Sequence, residues 1–169
     1  MQAKKLRNQS VLEVLQRKGP VSSRMRLALG LLDSNSPTER DEGFRSIERS
    51  EDMLKFAAVL SHHSETRLTA VKKLSTLKAL AFVVDTSDYF DVKHFATERL
   101  NLLIEMSHPD LLREAAEDAE YGFLRTAAVL QLQKMGESGQ LAYVSLASRY
   151  EDTKQLAQSI VRARRRVSQ

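Results

Sequence analysis

Apolar positions along this chain recur at helical spacing. Val11, Leu12, Val14 and Leu15 form one stripe, and Met53, Leu54, Ala57, Ala58 and Leu60 a second. Leu77, Leu80, Ala81 and Val84 form a third, Leu111, Leu112, Ala115 and Ala116 a fourth, and Leu141, Val144, Ser145 and Ala147 a fifth. Each stripe places its apolar side chains on one face of a helix. No segment alternates strictly enough to demand a strand. The pattern predicts helices over 9–18, 23–33, 37–49, 51–61, 65–75, 76–85, 89–106, 109–119, 122–135, 138–149 and 152–166. Several boundaries carry their own chemistry. Ser36-Pro37-Thr38-Glu39 reads as a capping box with proline at the first helical position. Ser107-His108-Pro109-Asp110 offers another start, Gly136-Glu137-Ser138-Gly139 a stop followed by a cap, and Gly19-Pro20 the end of the first helix.

One short pattern returns five times, 26 to 32 residues apart: a basic residue, a small residue three positions on, and an aliphatic residue four further. It reads Arg40–Gly43–Ile47, Arg67–Ala70–Leu74, Lys93–Ala96–Leu100, Arg125–Ala128–Leu132 and Lys154–Ala157–Val161. The small residue lets a neighbouring helix approach, and the aliphatic residue one turn later fills the space beside it. Each repeat pairs this signature helix with a leucine-rich one, and neither buries its stripe alone, so stacked repeats supply the core. The expected core is Ile47, Leu54, Ala70, Leu74, Leu80, Ala96, Leu100, Leu112, Ala128, Leu132, Leu146 and Val161.

Glu65-Thr66-Arg67-Leu68-Thr69-Ala70 and Asp91-Val92-Lys93-His94-Phe95-Ala96 resemble the start of the second helix in HEAT repeats, where an acidic residue, Val and Arg/Lys precede a small residue and a leucine. The resemblance covers roughly 36–165 and weakens at Gly122-Phe123-Leu124-Arg125, where the acidic position is lost. The units are shorter than standard, in the manner of compact prokaryotic variants. The expected fold is all-α: a right-handed α-solenoid of antiparallel, HEAT-like helix pairs, about five repeats long. Residues 1–35 are expected to form a basic helical cap and 36–169 the array, as one continuous domain.

Composition narrows the function more than it names one. The chain has 169 residues, enough for a sizeable core, and its 42% hydrophobic and 28% charged residues suit a globular protein. It lacks cysteine, which excludes disulfides and thiolate metal sites and is compatible with a reducing cytoplasm. No apolar run is long enough for a membrane span, and the basic, amphipathic start has no signal-peptide core. A cytoplasmic protein with no membrane association is the expectation. The net charge of +4 is uneven: residues 1–26 carry +6, residues 154–169 carry +5, and the acidic body between them −7.

Reactive constellations are sparse. His62, His63, His94 and His108 do not form a helical pair at metal-binding spacing, and no metal or cofactor is expected. Glu117/Asp118/Glu120 and Asp85/Asp88 are acidic clusters without a convergent partner. There is no phosphate-binding glycine loop and no nucleophile elbow, so no catalytic residue is assigned and the chain is read as a non-enzyme. The HEAT-like DNA glycosylases use tryptophan in a cationic cleft, whereas this chain has no Trp and an acidic body. The repeated Arg40, Arg67, Lys93, Arg125 and Lys154 admit two readings: a ladder for phosphates, or partners for neighbouring carboxylates and helix ends. The acidic body favours the second. The resemblance implies a non-catalytic scaffold or adaptor whose curved face binds a protein or peptide. The alternative is a nucleic-acid-binding or nucleoprotein-associated module using the basic termini, with Lys4, Lys5, Arg7, Arg162, Arg164, Arg165 and Arg166 against phosphates.

Overall fold

A computed structural model describes Leu27 and residues 30–167. Among these, every regular element is a helix. After a helical stretch at 30–32 come α1 (Pro37–Ile47), α2 (Glu51–Leu60), α3 (Ser64–Lys73), α4 (Leu77–Thr86), α5 (Phe90–Met106), α6 (Pro109–Asp118), α7 (Gly122–Met135), α8 (Ser138–Ala147) and α9 (Glu151–Val167). The predicted helices from 37 onward match these to within about two residues at each end. The expected helix at 9–18, the Gly19-Pro20 stop and most of the cap at 1–35 lie outside the described residues.

Most of these helices are only 10 or 11 residues long, a length that is marginal in isolation. Their ends are therefore chemically pinned. Ser36 caps α1, with Pro37 at the first position, and Ser50 and Thr76 cap α2 and α4. The box at α1 is rearranged: the Glu39 carboxylate accepts from the Ser34 hydroxyl, while the Ser36 N–H donates to Ser34 Oγ at 3.0 Å. α7 ends at Gly136 with φ of 85°, the left-handed turn that glycine alone adopts without strain. His108 caps α6 ahead of Pro109, and Glu137 rather than Ser138 holds the cap position of α8.

The chain divides into two compact units, one running to Arg99 and the other from Leu100, with the boundary inside α5. In the first, α2 packs on α3 and α4. Ile47, Leu54, Ala70, Val71, Leu74, Leu80 and Val83 are buried, and Phe56 meets Phe82 edge-on, with ring centroids 5.5 Å apart. In the second, α6 packs on α7 and α8, while α9 packs on α7 and α8. Its buried side chains include Leu112, Leu124, Leu132, Leu141, Val144, Ala157 and Ile160.

Two expected core positions are wrong. Leu146 is 78% exposed. The inward face of α8 is Leu141, Val144 and Ser145, and Leu146 lies well round the helix from it. Val161 is half-buried, and Ile160 takes its place in the core.

Ala70 and Ala96 have no exposed surface. Ala70→Leu or Ala96→Leu is expected to overpack its contact and cost about 1–3 kcal/mol, against about 0.5 kcal/mol or less for exposed Lys72→Ala. Chemical denaturation of the three variants checks this; equal midpoint shifts would contradict the packing role.

Candidate functional site

The repeated arginines sit at the junctions between helices. Arg125 is 6% exposed. Its Nη1 donates to the carbonyls of Ala119 (3.0 Å) and Glu120 (3.1 Å), covering the C-terminal end of α6. Such carbonyls have no partner within their own helix. The same guanidinium reaches forward to the start of α9: Nε donates to Thr153 Oγ1 at 3.0 Å and Nη2 to the Asp152 carboxylate at 3.1 Å. Its plane lies over the Tyr150 ring, 3.5 Å from the centroid. One side chain thus joins the end of one helix to the beginning of another three elements later.

Arg67 repeats the arrangement in the first unit. Also 6% exposed, it donates through Nη1 to the carbonyls of Ser61 (2.9 Å) and His62 (3.0 Å) at the end of α2. It stacks at 3.5 Å on Tyr89, just before α5. Arg40 is a looser version: Nη1 donates to the Ser34 carbonyl at 2.9 Å and Nη2 stands 3.8 Å from Glu65. In all three, the capped carbonyl belongs to the residue six positions before the arginine.

That residue carries a second repeated contact. Ser34, Ser61, Ser87 and Ser148 each accept, through Oγ, the backbone N–H two positions on, at 3.0 to 3.3 Å. The full repeat is therefore a linker as well as a helix: Ser61-x-His63-x-Glu65-Thr66-Arg67, Ser87-x-Tyr89-x-Asp91-Val92-Lys93 and Ser148-x-Tyr150-x-Asp152-Thr153-Lys154. Sequence reasoning recorded the basic residue and missed the serine and the aromatic, although both stand at fixed offsets.

The junction tunes its acids. The Thr153 backbone N–H, with Arg125, holds the Asp152 carboxyl below the usual aspartate range against some opposing desolvation. The Ser64 hydroxyl, which donates to Asp91 at 2.9 Å, lowers Asp91 in the same way, with help from the Val92 N–H and Arg67.

These contacts decide between the two readings of the repeated cations. Arg40, Arg67 and Arg125 close helix ends, while the Lys93 side chain is exposed and Lys154 is half-buried. Within the C-terminal cluster, Arg162 and Arg166 are exposed. Arg164 is half-buried and turned back, with Nη1 donating to Ser138 Oγ at 3.0 Å and Nη2 to the Gln133 carbonyl of α7. Lys4, Lys5 and Arg7, and the side chain of Arg165, lie outside the described residues.

An open cleft of about 380 Å³ runs between α1 and α3, lined by Arg40, Phe44, Glu48, Thr66, Thr69 and Lys73 among others. Lys73 and Glu48 pair across it at 2.6 Å, which lowers the Glu48 carboxyl. In the second unit the matching positions on α9 are Leu156 and the buried Ile160. The cleft mixes three cations with Asp41, Glu48 and Glu65, an arrangement that suits polar contacts more than a concentrated charge. His62, His94 and His108 are exposed; His94 stacks on Phe90 and stands 3.5 Å from Glu98. No group of three or more His, Asp or Glu side chains among the described residues is placed to hold a metal ion. No helix among them is long and apolar enough to cross a membrane. No protein-family model, curated protein or solved structure matches the chain.

Besides the Asp152 carboxylate, which only Arg125 engages, the two junctions differ at Nε, and that difference is testable. Where Arg125 Nε donates to Thr153, Arg67 Nε is buried without a partner, because the matching residue is Val92. Val92→Thr supplies the missing acceptor and is expected to stabilise the protein by up to about 1 kcal/mol, the reverse of the usual cost of a buried hydroxyl. Thr153→Val is expected to cost about 1–3 kcal/mol. Urea denaturation of both variants decides; destabilisation by Val92→Thr equal to that by Thr153→Val would remove the equivalence of the junctions.

Proposed function

We propose that this protein is a non-catalytic, cytoplasmic interaction module: a short right-handed solenoid of about five antiparallel, HEAT-like helix pairs that binds a protein or peptide on a curved face. Support for the architecture comes from the junctions at Arg67 and Arg125, which recur in register with the sequence repeat and link consecutive helix pairs within each compact unit. The reading of function is carried by the surface. Phe90, Met106 and Leu146 are 84%, 83% and 78% exposed, and Leu102, Leu111 and Tyr143 stand more than half exposed beside them in the sequence. Large apolar side chains left in water are the usual material of a protein-binding surface. The recurring arginines, by contrast, are engaged in holding helix ends.

Affinity capture from native lysate, with and without nuclease and at low and high salt, tests this. The expected result is a protein partner retained under all four conditions. Loss of every captured protein on nuclease treatment would overturn the reading. A parallel titration against a random DNA duplex measures the nucleic-acid alternative: binding through Arg162 and Arg166 would fall steeply with salt, and the module reading expects weak, non-specific binding at most.

A further inference from the structure

The outward face of α8 departs from the rest of the chain. Leu54, Leu80, Leu112 and Leu141 all stand thirteen residues before a repeated basic residue, which puts α2, α4, α6 and α8 in one register. Two and five positions after that leucine, α2 carries Phe56 and Val59, both buried, α4 carries half-buried Phe82 and exposed Asp85, and α6 carries Glu114 and Glu117. In α8 the same two positions are Tyr143 and Leu146. Tyr143 is 52% and Leu146 78% exposed, next to exposed Ala147. α8 has no charged residue anywhere in its length. α8 therefore leaves two large apolar side chains in water where α2 buries its pair and α6 carries two glutamates, and it has lost the ordinary means of keeping its face solvated.

On its α6 side the rim of this face is acidic. α6 packs beside α8 and contributes Asp110, Glu114, Glu117 and Asp118 against Arg113 alone. Arg113 is already committed: it pairs with Glu117 at 3.5 Å, donates to Gln140 Oε1 at 3.4 Å, and lies over the Tyr143 ring at 5.2 Å. Gln140 in turn donates to Asp110 at 3.0 Å, and Arg149 holds Asp118 at 2.9 Å. These contacts fix Tyr143 before any partner arrives, which lowers the ordering cost of binding.

We propose that the α6–α8 face is the docking surface for a basic amphipathic helix of a partner protein. Its aliphatic stripe would cover Tyr143 and Leu146, and its Lys or Arg side chains would meet the carboxylates of α6. The charge of the rim disfavours an anionic membrane or a nucleic acid on this face. The inference rests on the reading of the protein as an interaction module and names the surface that performs it.

Fluorescence anisotropy tests it, with a labelled synthetic helix of leucine and lysine in amphipathic register and a matched leucine–glutamate helix. Wild type should bind the Leu/Lys peptide, more weakly as salt rises, and should not bind the Leu/Glu peptide. Leu146→Glu and, separately, Leu146→Ser should each weaken binding by about tenfold or more, while Phe90→Glu, on α5, leaves it unchanged. Circular dichroism melts establish that the variants fold. Equal binding of both peptides, unchanged affinity in both Leu146 variants, or an equal loss in Phe90→Glu would overturn the proposal. So would sedimentation showing a wild-type dimer that Leu146→Glu dissociates, since the occupant would then be a second copy. Should Leu146→Glu retain the nuclease-resistant partner captured by wild type, this face fails while the interaction-module reading stands.

Discussion

The structure depends on a guanidinium placed where one helix ends and another begins. Arg67 and Arg125 each cap two carbonyls, lie flat on a tyrosine ring and, at Arg125, engage a carboxylate and a hydroxyl as well. Helices of about ten residues bury too little surface to persist alone, and their ends carry unpaired carbonyls that cannot be left dry. A planar, five-donor side chain answers both needs at once. Lysine does not: its ammonium has no face to stack and no fork to span two carbonyls. Lys93, at one of the lysine positions, is accordingly exposed, and the helices there rely on Ala96 and Leu100 for their place in the core.

The same principle runs through lesser contacts. Arg99 donates to the Leu74 carbonyl at the end of α3, Arg164 to the Gln133 carbonyl near the end of α7, and Gln131 to the Glu105 carbonyl near the end of α5. Of the cations weighed as phosphate ligands, Arg40, Arg67, Arg125 and Arg164 donate to backbone oxygens, while Arg162 and Arg166 are exposed. What remains for recognition is the exterior of the helices, and there the chain is uneven, with glutamates at the two register positions on α6 and exposed Tyr143 and Leu146 at the same positions on α8.

Much of this was legible beforehand, for physical reasons. The helix boundaries were readable because proline, glycine and small hydroxyl residues mark them, and Ala70, Ala96, Ala128 and their aliphatic partners declared the buried face by spacing alone. Leu146 misled because α8 is uncharged throughout, so its apolar residues run around the helix and the inward side has no polar contrast. Val161 misled because Ile160 beside it is equally apolar, and spacing alone does not choose which of the two adjacent residues turns inward. The junction was half visible: the arginine spacing was noted, but its partners lie 22 to 28 residues away at Tyr89, Tyr150, Asp152 and Thr153, and short motifs show only neighbours. The serine six positions before Arg40, Arg67, Lys93 and Lys154, replaced by Ala119 before Arg125, was the available signal. The candidate docking face was not legible at all, since it is defined by which side of α8 faces water.

A double-mutant cycle at Arg125 and Tyr150 tests most directly whether the junction holds successive helix pairs together. Arg125→Met and Tyr150→Leu are made singly and together, and unfolding free energies are measured in urea. If the guanidinium and the ring act as one unit, the double variant loses less than the sum of the single losses, by a coupling of about 0.5–3 kcal/mol. Strictly additive losses would show that the two side chains stabilise the fold independently, and the junction would not be the element on which the structure depends.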